Sequence, residues 1–152
     1  MFSKTCEYGI RAMIYISQKS SEGLKVGVKE ISKGIDSPEH FIAKILQILT
    51  KRDLLSSSKG PNGGFFINKQ STVTLADIVK AIDGDKLFVK CGLGLGYCSE
   101  DHPCPIHHDF KVIRAQISTM LHTSRLNDFN DLLKEKLTYL TLPDEECSLI
   151  SE

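Results

Sequence analysis

Asp36-Ser37-Pro38-Glu39-His40-Phe41-Ile42-Ala43-Lys44-Ile45-Leu46-Gln47-Ile48-Leu49-Thr50-Lys51, followed eight residues later by Lys59-Gly60-Pro61-Asn62-Gly63-Gly64, is the stretch on which the fold turns. Its first four residues offer an N-cap, a proline at the first helical position and an early acid, so a helix is predicted over 38–51. Phe41, Ile42, Ile45, Leu46, Ile48 and Leu49 recur at three- and four-residue steps and are expected to be buried. The opposite face then carries His40, Ala43, Lys44 and Gln47. Downstream, 54–58 and 65–67 read as short strands, and the glycine-rich run between them as the turn of a hairpin.

Working towards the N-terminus, Tyr8, Ile10, Ala12, Met13, Ile14 and Ile16 suit a helix over 4–18, and a short helix over 28–33 ends at Gly34. Towards the C-terminus, Thr74 can cap a helix through Leu75, Ile78, Val79 and Ile82 that stops at Gly84. Residues 90–107 have no periodicity and read as a loop. A long helix over 109–124 places Phe110, Ile113, Ile117, Met120 and Ser124 on a seam suited to a partner helix. A last helix is expected over 128–140, before Pro143 and an acidic tail. The fold class is therefore mainly α with a small β-hairpin wing. A winged helix-turn-helix occupies 1–85, a cysteine-rich sensor loop 86–108, a dimerisation helix and C-terminal helix 109–142, and a tail 143–152.

Formal net charge is zero, yet residues 1–70 hold 11 Lys and Arg against 6 Asp and Glu, and the remainder holds 8 against 13. The basic half is the nucleic-acid candidate. His40, Lys44 and Gln47 can donate to base edges or phosphates, and Ala43 can sit against a thymine methyl. At the wing, Gly60, Asn62 and Gly63 bring backbone close to phosphate while Lys59 supplies charge. The same helical face would also serve as the solvated side of an amphipathic helix; the hairpin that follows favours double-stranded DNA. No apolar run suits a bilayer or a signal peptide, so a cytoplasmic protein without membrane partners is expected. No Gly-x-Ser-x-Gly or His-Glu-x-x-His occurs. Pro103-Cys104-Pro105-Ile106-His107 lacks the second cysteine of a zinc deaminase, and the wing glycines lack the lysine and hydroxyl of a phosphate-binding loop. A small metal-dependent enzyme is the weaker alternative, and no enzymatic activity is expected.

Five cysteines are present, an odd number, and three of them fall within fourteen residues. Cys91, Cys98, Cys104 and His107 are spaced C-x6-C-x5-C-x2-H. Thiolates are soft ligands for iron-sulfur clusters or zinc, and a flexible loop can wrap around either. A metal-free thiol switch and unused reduced thiols are the other readings. Cys6 is expected to be a small core residue, and Cys147 lies in the tail.

The chain resembles the small winged-helix transcription regulators of the IscR, NsrR and CymR type over about residues 1–140. The resemblance rests on Tyr8-Gly9-Ile10-Arg11-Ala12, Lys29-Glu30-Ile31, Asp53-Leu54-Leu55 and the wing signature Lys59-Gly60-Pro61-Asn62-Gly63-Gly64-Phe65. Thr74-Leu75-Ala76-Asp77-Ile78 and Ala81-Ile82-Asp83-Gly84 extend it. It implies a homodimer formed by the long C-terminal helix on a roughly palindromic operator. It further implies a cluster, of the two-iron two-sulfur type, on Cys91, Cys98 and Cys104, reporting redox, nitric oxide or iron-sulfur status. The first interval here is one residue longer than the family's. A zinc-containing or cluster-free repressor of the same fold is the alternative. For the fourth ligand His107 stands in the family's Cys-x-x-His place. Glu7 competes because some nitric-oxide-sensing relatives take an acid from the partner's first helix, and His108 is expected to cap or face solvent.

Overall fold

Ser3 accepts a hydrogen bond from the Cys6 amide and so caps α1 (Lys4–Ser21), which buries Cys6, Gly9, Met13, Ile16 and Ser20 along one stripe. The computed structural model describes residues 1–143; Cys147 and nearly all of the expected tail lie outside them. After α2 (Val28–Gly34) and α3 (Glu39–Lys51) come β1 (Ser56–Ser58) and β2 (Gly64–Phe66), then α4 (Leu75–Asp83) and a short α5 (Lys86–Val89). The long α6 (His107–Thr123) is followed by a 3-10 turn at Leu126–Phe129 and by α7 (Asn130–Lys134). No helix among the described residues is long and apolar enough to cross a membrane.

The main core joins α1, α2, α3, α4 and the hairpin around Met13, Ile16, Ile31, Ile42, Leu46 and Leu49. At Gly9 an added Cβ would fall 2.3 Å from Ile82 Cδ1 and 3.3 Å from Ile45 Cγ2, so any larger residue would force these two side chains of α4 and α3 to shift. Two residues further on, Arg11 donates to the Ile35 carbonyl at 3.1 Å and pins the turn between α2 and α3. These contacts give physical roles to the Tyr8-Gly9-Ile10-Arg11 motif.

Three expectations around α3 need correction. Pro38 is the N-cap and not the first helical residue, and no side chain caps this end. The Ser37 hydroxyl is buried without a hydrogen-bond partner and does not reach the helix end: the Ser37 amide donates to the Ser32 carbonyl and its carbonyl accepts from the Ser32 hydroxyl, while Asp36 takes the left-handed conformation at φ 48°. Phe41 and Ile48, expected inside, are 46% and 37% exposed. They lie seven residues apart on the edge of the stripe that Ile42, Ile45, Leu46 and Leu49 fill.

The first strand is shorter than expected and the second starts one residue earlier; they pair antiparallel, with Ser57 opposite Phe65. A third segment joins them: Val26 and Phe65 exchange both backbone hydrogen bonds, at 3.1 and 2.8 Å. Gly64 has φ 143°, and a Cβ there would stand 2.9 Å from the Val26 carbonyl oxygen.

α4 starts in a capping box, with the Asp77 carboxylate accepting from the Thr74 amide at 2.8 Å and the Thr74 hydroxyl from the Asp77 amide at 3.3 Å. Two backbone bonds, Leu75 to Ser124 and Leu126 to Val73, tie the end of α6 to the start of α4. A second cluster lies beneath α6, formed by Cys6, Ala76, Val79 and Leu121, with Ile117, Leu87 and Phe88 packed on it. Ile117 therefore faces its own chain, which corrects its place on the expected partner seam, whereas Ile113 and Met120 of that seam are exposed. The expected helix over 128–140 is also corrected: it closes at Lys134, and Lys136 turns left-handed at φ 55°.

Replacing Gly64 with alanine should destabilise the protein by about 1–3 kcal/mol, the range for a strained backbone conformation. The loss should appear in denaturant midpoints. Gly60→Ala, also at positive φ but with nothing within 4 Å of its Cβ, should cost less.

Candidate metal centre and nucleic-acid interface

The segment between α5 and α6 folds back so that Cys91, Cys98 and Cys104 bring their sulfurs within 4.8 Å of one another. Local features make this return possible. Gly92 lies under the Phe110 ring, where a Cβ would meet Cγ at 2.9 Å, and Arg114 donates to the Lys90 carbonyl at 2.8 Å. The His107 amide bonds to the Cys104 carbonyl at 3.0 Å, so α6 starts at His107, two residues earlier than expected, and its side chain stands on a helix.

The four donors fall into two close pairs. Cys91 Sγ lies 3.6 Å from Cys104 Sγ, and Cys98 Sγ lies 3.1 Å from His107 Nδ1. Together they line a cavity of about 30 Å³ with Val89, Gly92, Phe110 and Arg114. Two thiolates on one tetrahedral ion, with metal–sulfur distances of roughly 2.3 Å, stand about 3.8 Å apart. The Cys91–Cys104 spacing matches that edge, so the donor set fits a thiolate-held metal group.

Charges around the site are graded. Backbone amides of Leu95, the largest influence, and of Leu93 donate to Cys91 and lower its thiol pKa to about 7. Desolvation pushes Cys104, which is buried, the other way. On the far side of His107, Nε2 lies 3.3 Å from Glu100 Oε1. Lys111 and then His107 bond to that carboxyl and hold it at about 2. Of the competing fourth ligands, His108 is exposed, with Nδ1 4.0 Å from Glu100, and Glu7 pairs with Lys4 at 3.2 Å on α1. Cys6 is fully buried, and desolvation raises its thiol to about 12, which makes it an inert core residue. Glu100 was missed by the sequence reading because a lone acid between two cysteines carries no spacing signal.

On the basic half, His40, Lys44 and Gln47 are all exposed and Ala43 is half-buried. The His40 ring packs against Phe41 with centroids 4.3 Å apart, and Tyr8 stacks beyond it at 6.4 Å. At the wing, Lys59, Gly60 and Asn62 are exposed and Gly63 is half-buried. A Cβ at Gly63 would lie 2.3 Å from the Ser58 carbonyl oxygen, so the tip is tight. Lys25, also missed, joins this surface: its Nζ lies 3.1 Å from Ser58 Oγ and over the Phe66 ring. It reaches the wing only through the long-range Val26–Phe65 pairing.

Three helices, a hairpin and a return helix define a winged helix-turn-helix protein, with a thiol-rich site at the start of α6. The sequence model of the Rrf2 family, described as an iron-dependent transcriptional regulator, matches residues 2–131. The chain belongs to that family and is a DNA-binding transcription regulator. A protein of Aquifex aeolicus assigned as an HTH-type transcriptional regulator is 31% identical over 140 residues, covering 90% of this chain and 96% of its own. The HTH-type transcriptional regulator NsrR of Oceanobacillus iheyensis is 24% identical over 141 residues, covering 91% and 93%. The structure of CymR, the global cysteine regulator of B. subtilis, superposes with a TM-score of 0.72 at 22% identity, over 86% of this chain and 96% of that one. These relatives are regulators, not enzymes.

In metal-free protein the thiolate of Cys91 should form first, because its lowered pKa populates it above about pH 7. Alkylation mapped by mass spectrometry between pH 6 and 9 should label Cys91 before Cys104 and spare Cys6 until unfolding. Labelling of Cys104 first would contradict this order.

Proposed function

We propose that this chain is a homodimeric regulator whose operator binding depends on an iron-sulfur cluster held by Cys91, Cys98, Cys104 and His107. The observation that carries the reading is the division of the four donors into two close pairs, one of two thiols and one of thiol and imidazole. A two-iron cluster takes two protein ligands per iron, and imidazole is an accepted substitute for thiolate there. When bound, the cluster supplies one-electron redox chemistry and reactivity towards small oxidants or nitric oxide.

The chain's own residues convert loop order into geometry. Residues 1–85 act as the DNA-reading unit, 86–108 as the sensor loop and 109–142 as the partner-binding helices. His107, Phe110 and Arg114, on the first turns of α6, all touch the loop, and the far end of α6 is tied to α4. An ordered loop fixes α6 against the winged helix; a disordered one releases it and changes the spacing of two recognition helices. The bistable element is the start of α6. Cytoplasmic residence accords with this role.

For the partner, the outward face of α6 is the supporting feature. Val112, Ala115, Thr119 and Met120 form an open, largely apolar strip at helical spacing, with Val112 59% and Met120 48% exposed. A second copy of α6 covers it. Met120→Asp should therefore give a folded monomer by sedimentation, whereas Ile117→Asp, placed in the chain's own second cluster, should lower thermal stability. A dimeric Met120→Asp protein would overturn this assignment.

His40, Ala43, Lys44 and Gln47 enter the major groove of a roughly palindromic double-stranded operator, and Lys59, Gly60, Asn62 and Gly63 meet the flanking backbone. Lys44→Ala should weaken operator binding by about 1–3 kcal/mol and leave thermal stability within roughly 0.5 kcal/mol. Wild-type affinity should fall steeply with salt. For the cluster, protein purified without oxygen should be coloured, with two irons and two sulfides per chain. A colourless, zinc-loaded protein would replace the cluster with a structural Cys3His site.

A further inference from the structure

We infer that Glu100 is the positioning residue of this site: it fixes the tautomer of His107 so that Nδ1, and not Nε2, is presented to the cluster. The inference rests on the cluster reading above and goes beyond it to a residue outside the ligand set.

Glu100 lies between Cys98 and Cys104 in sequence and is exposed, whereas the His107 side chain is only 10% exposed. Its Oε1 stands 3.3 Å from His107 Nε2. The same oxygen accepts from Lys111 on α6, one turn beyond His107, and the other oxygen lies 4.0 Å from His108 Nδ1. A carboxylate beside an ammonium group is ionised and can only accept hydrogen bonds, so Nε2 carries the proton. In a neutral imidazole the lone pair then sits on Nδ1, which is the nitrogen 3.1 Å from Cys98 Sγ. Glu100 thus settles which nitrogen faces the thiols.

Glu100, His107 and His108 also place their ligand atoms within 4.8 Å of one another, which suggests a second metal ion as the alternative. Lys111 opposes it. Its ammonium group already stands at the carboxylate, where a cation would have to bind. The carboxylate serves the imidazole instead. Metal-bound histidines commonly donate their second N–H to such a group, which fixes ring orientation and raises ligand basicity; losing it costs roughly 10–100-fold in metal affinity.

The test uses the full chain, reconstituted with iron and sulfide without oxygen, as wild type, Glu100→Ala, Glu100→Gln and His107→Ala. Three properties are read: imidazole nitrogen coupling by pulsed electron paramagnetic resonance of the reduced cluster, the reduction potential, and cluster retention against a chelator. Circular dichroism melting of the metal-free proteins checks the fold. His107→Ala should lose the nitrogen coupling. Glu100→Ala should alter that coupling and retain the cluster roughly tenfold less well. Glu100→Gln, whose amide oxygen still accepts from Nε2, should keep the wild-type coupling while its potential rises, because a negative charge beside the ligand is gone. Wild-type coupling in Glu100→Ala, with His107→Ala altered, overturns the inference alone. An unaltered His107→Ala signal, or a wild type that takes up no cluster, removes the underlying reading and the inference with it.

Discussion

The crossing of α1 over α3 and α4 at Gly9 is the constraint from which the DNA-facing half follows. With no side chain at that position, Ile45 and Ile82 lie close against α1, and α3 is rolled so that its apolar stripe faces the core. Ile42, Ile45, Leu46 and Leu49 turn inward, each burial contributing about 1.5–3 kcal/mol. Together they far exceed the ~1 kcal/mol that a side-chain cap typically adds. This is why α3 forms from an uncapped Pro38. The same roll sends His40, Lys44 and Gln47 to solvent, and Arg11 on α1 secures the turn that leads into them.

The cysteine loop is organised by a different means. Its glycines and exposed apolar residues contribute little core, and Cys104 alone among its thiols is buried. Order comes from the first two turns of α6, where His107 meets Cys98, Phe110 covers Gly92, Lys111 holds Glu100 and Arg114 holds Lys90. One helical segment therefore carries four of the side-chain contacts that shape the loop. Since α6 also rests on α4 through Ile117 and Leu121, the thiol site and the winged helix share a rigid connection. That connection links the thiol site to the winged helix through the packed face of α6.

Within the sequence, signals confined to a few neighbouring residues were sufficient by themselves. The three- and four-residue recurrence along α1, α3 and α4, the Thr74 cap, the Gly84 stop and the glycine-rich wing tip determined the element order and the winged-helix class. The cysteine spacing likewise singled out three thiols that the fold brings together. Such features are legible because a helical turn, a cap or a tight turn is decided by groups within about four residues. Phe41 and Ile48 show the limit of periodicity: it counted them as core, but the stripe filled from its centre and left its edges exposed.

Only the tertiary structure decided which side of α6 faces its own chain. Phe110, Val112, Ile113, Ile117, Met120 and Leu121 run around more than one face, so their spacing assigns no inside. The second cluster took Ile117 and Leu121 and left Val112 and Met120 outside. In the same way, the meetings of Val26 with Phe65, Lys25 with Ser58 and Glu100 with His107 and Lys111 join residues with no common local pattern. Their proximity comes from chain return and packing, which become defined only once the hydrophobic clusters have closed around glycines small enough to let the backbones meet.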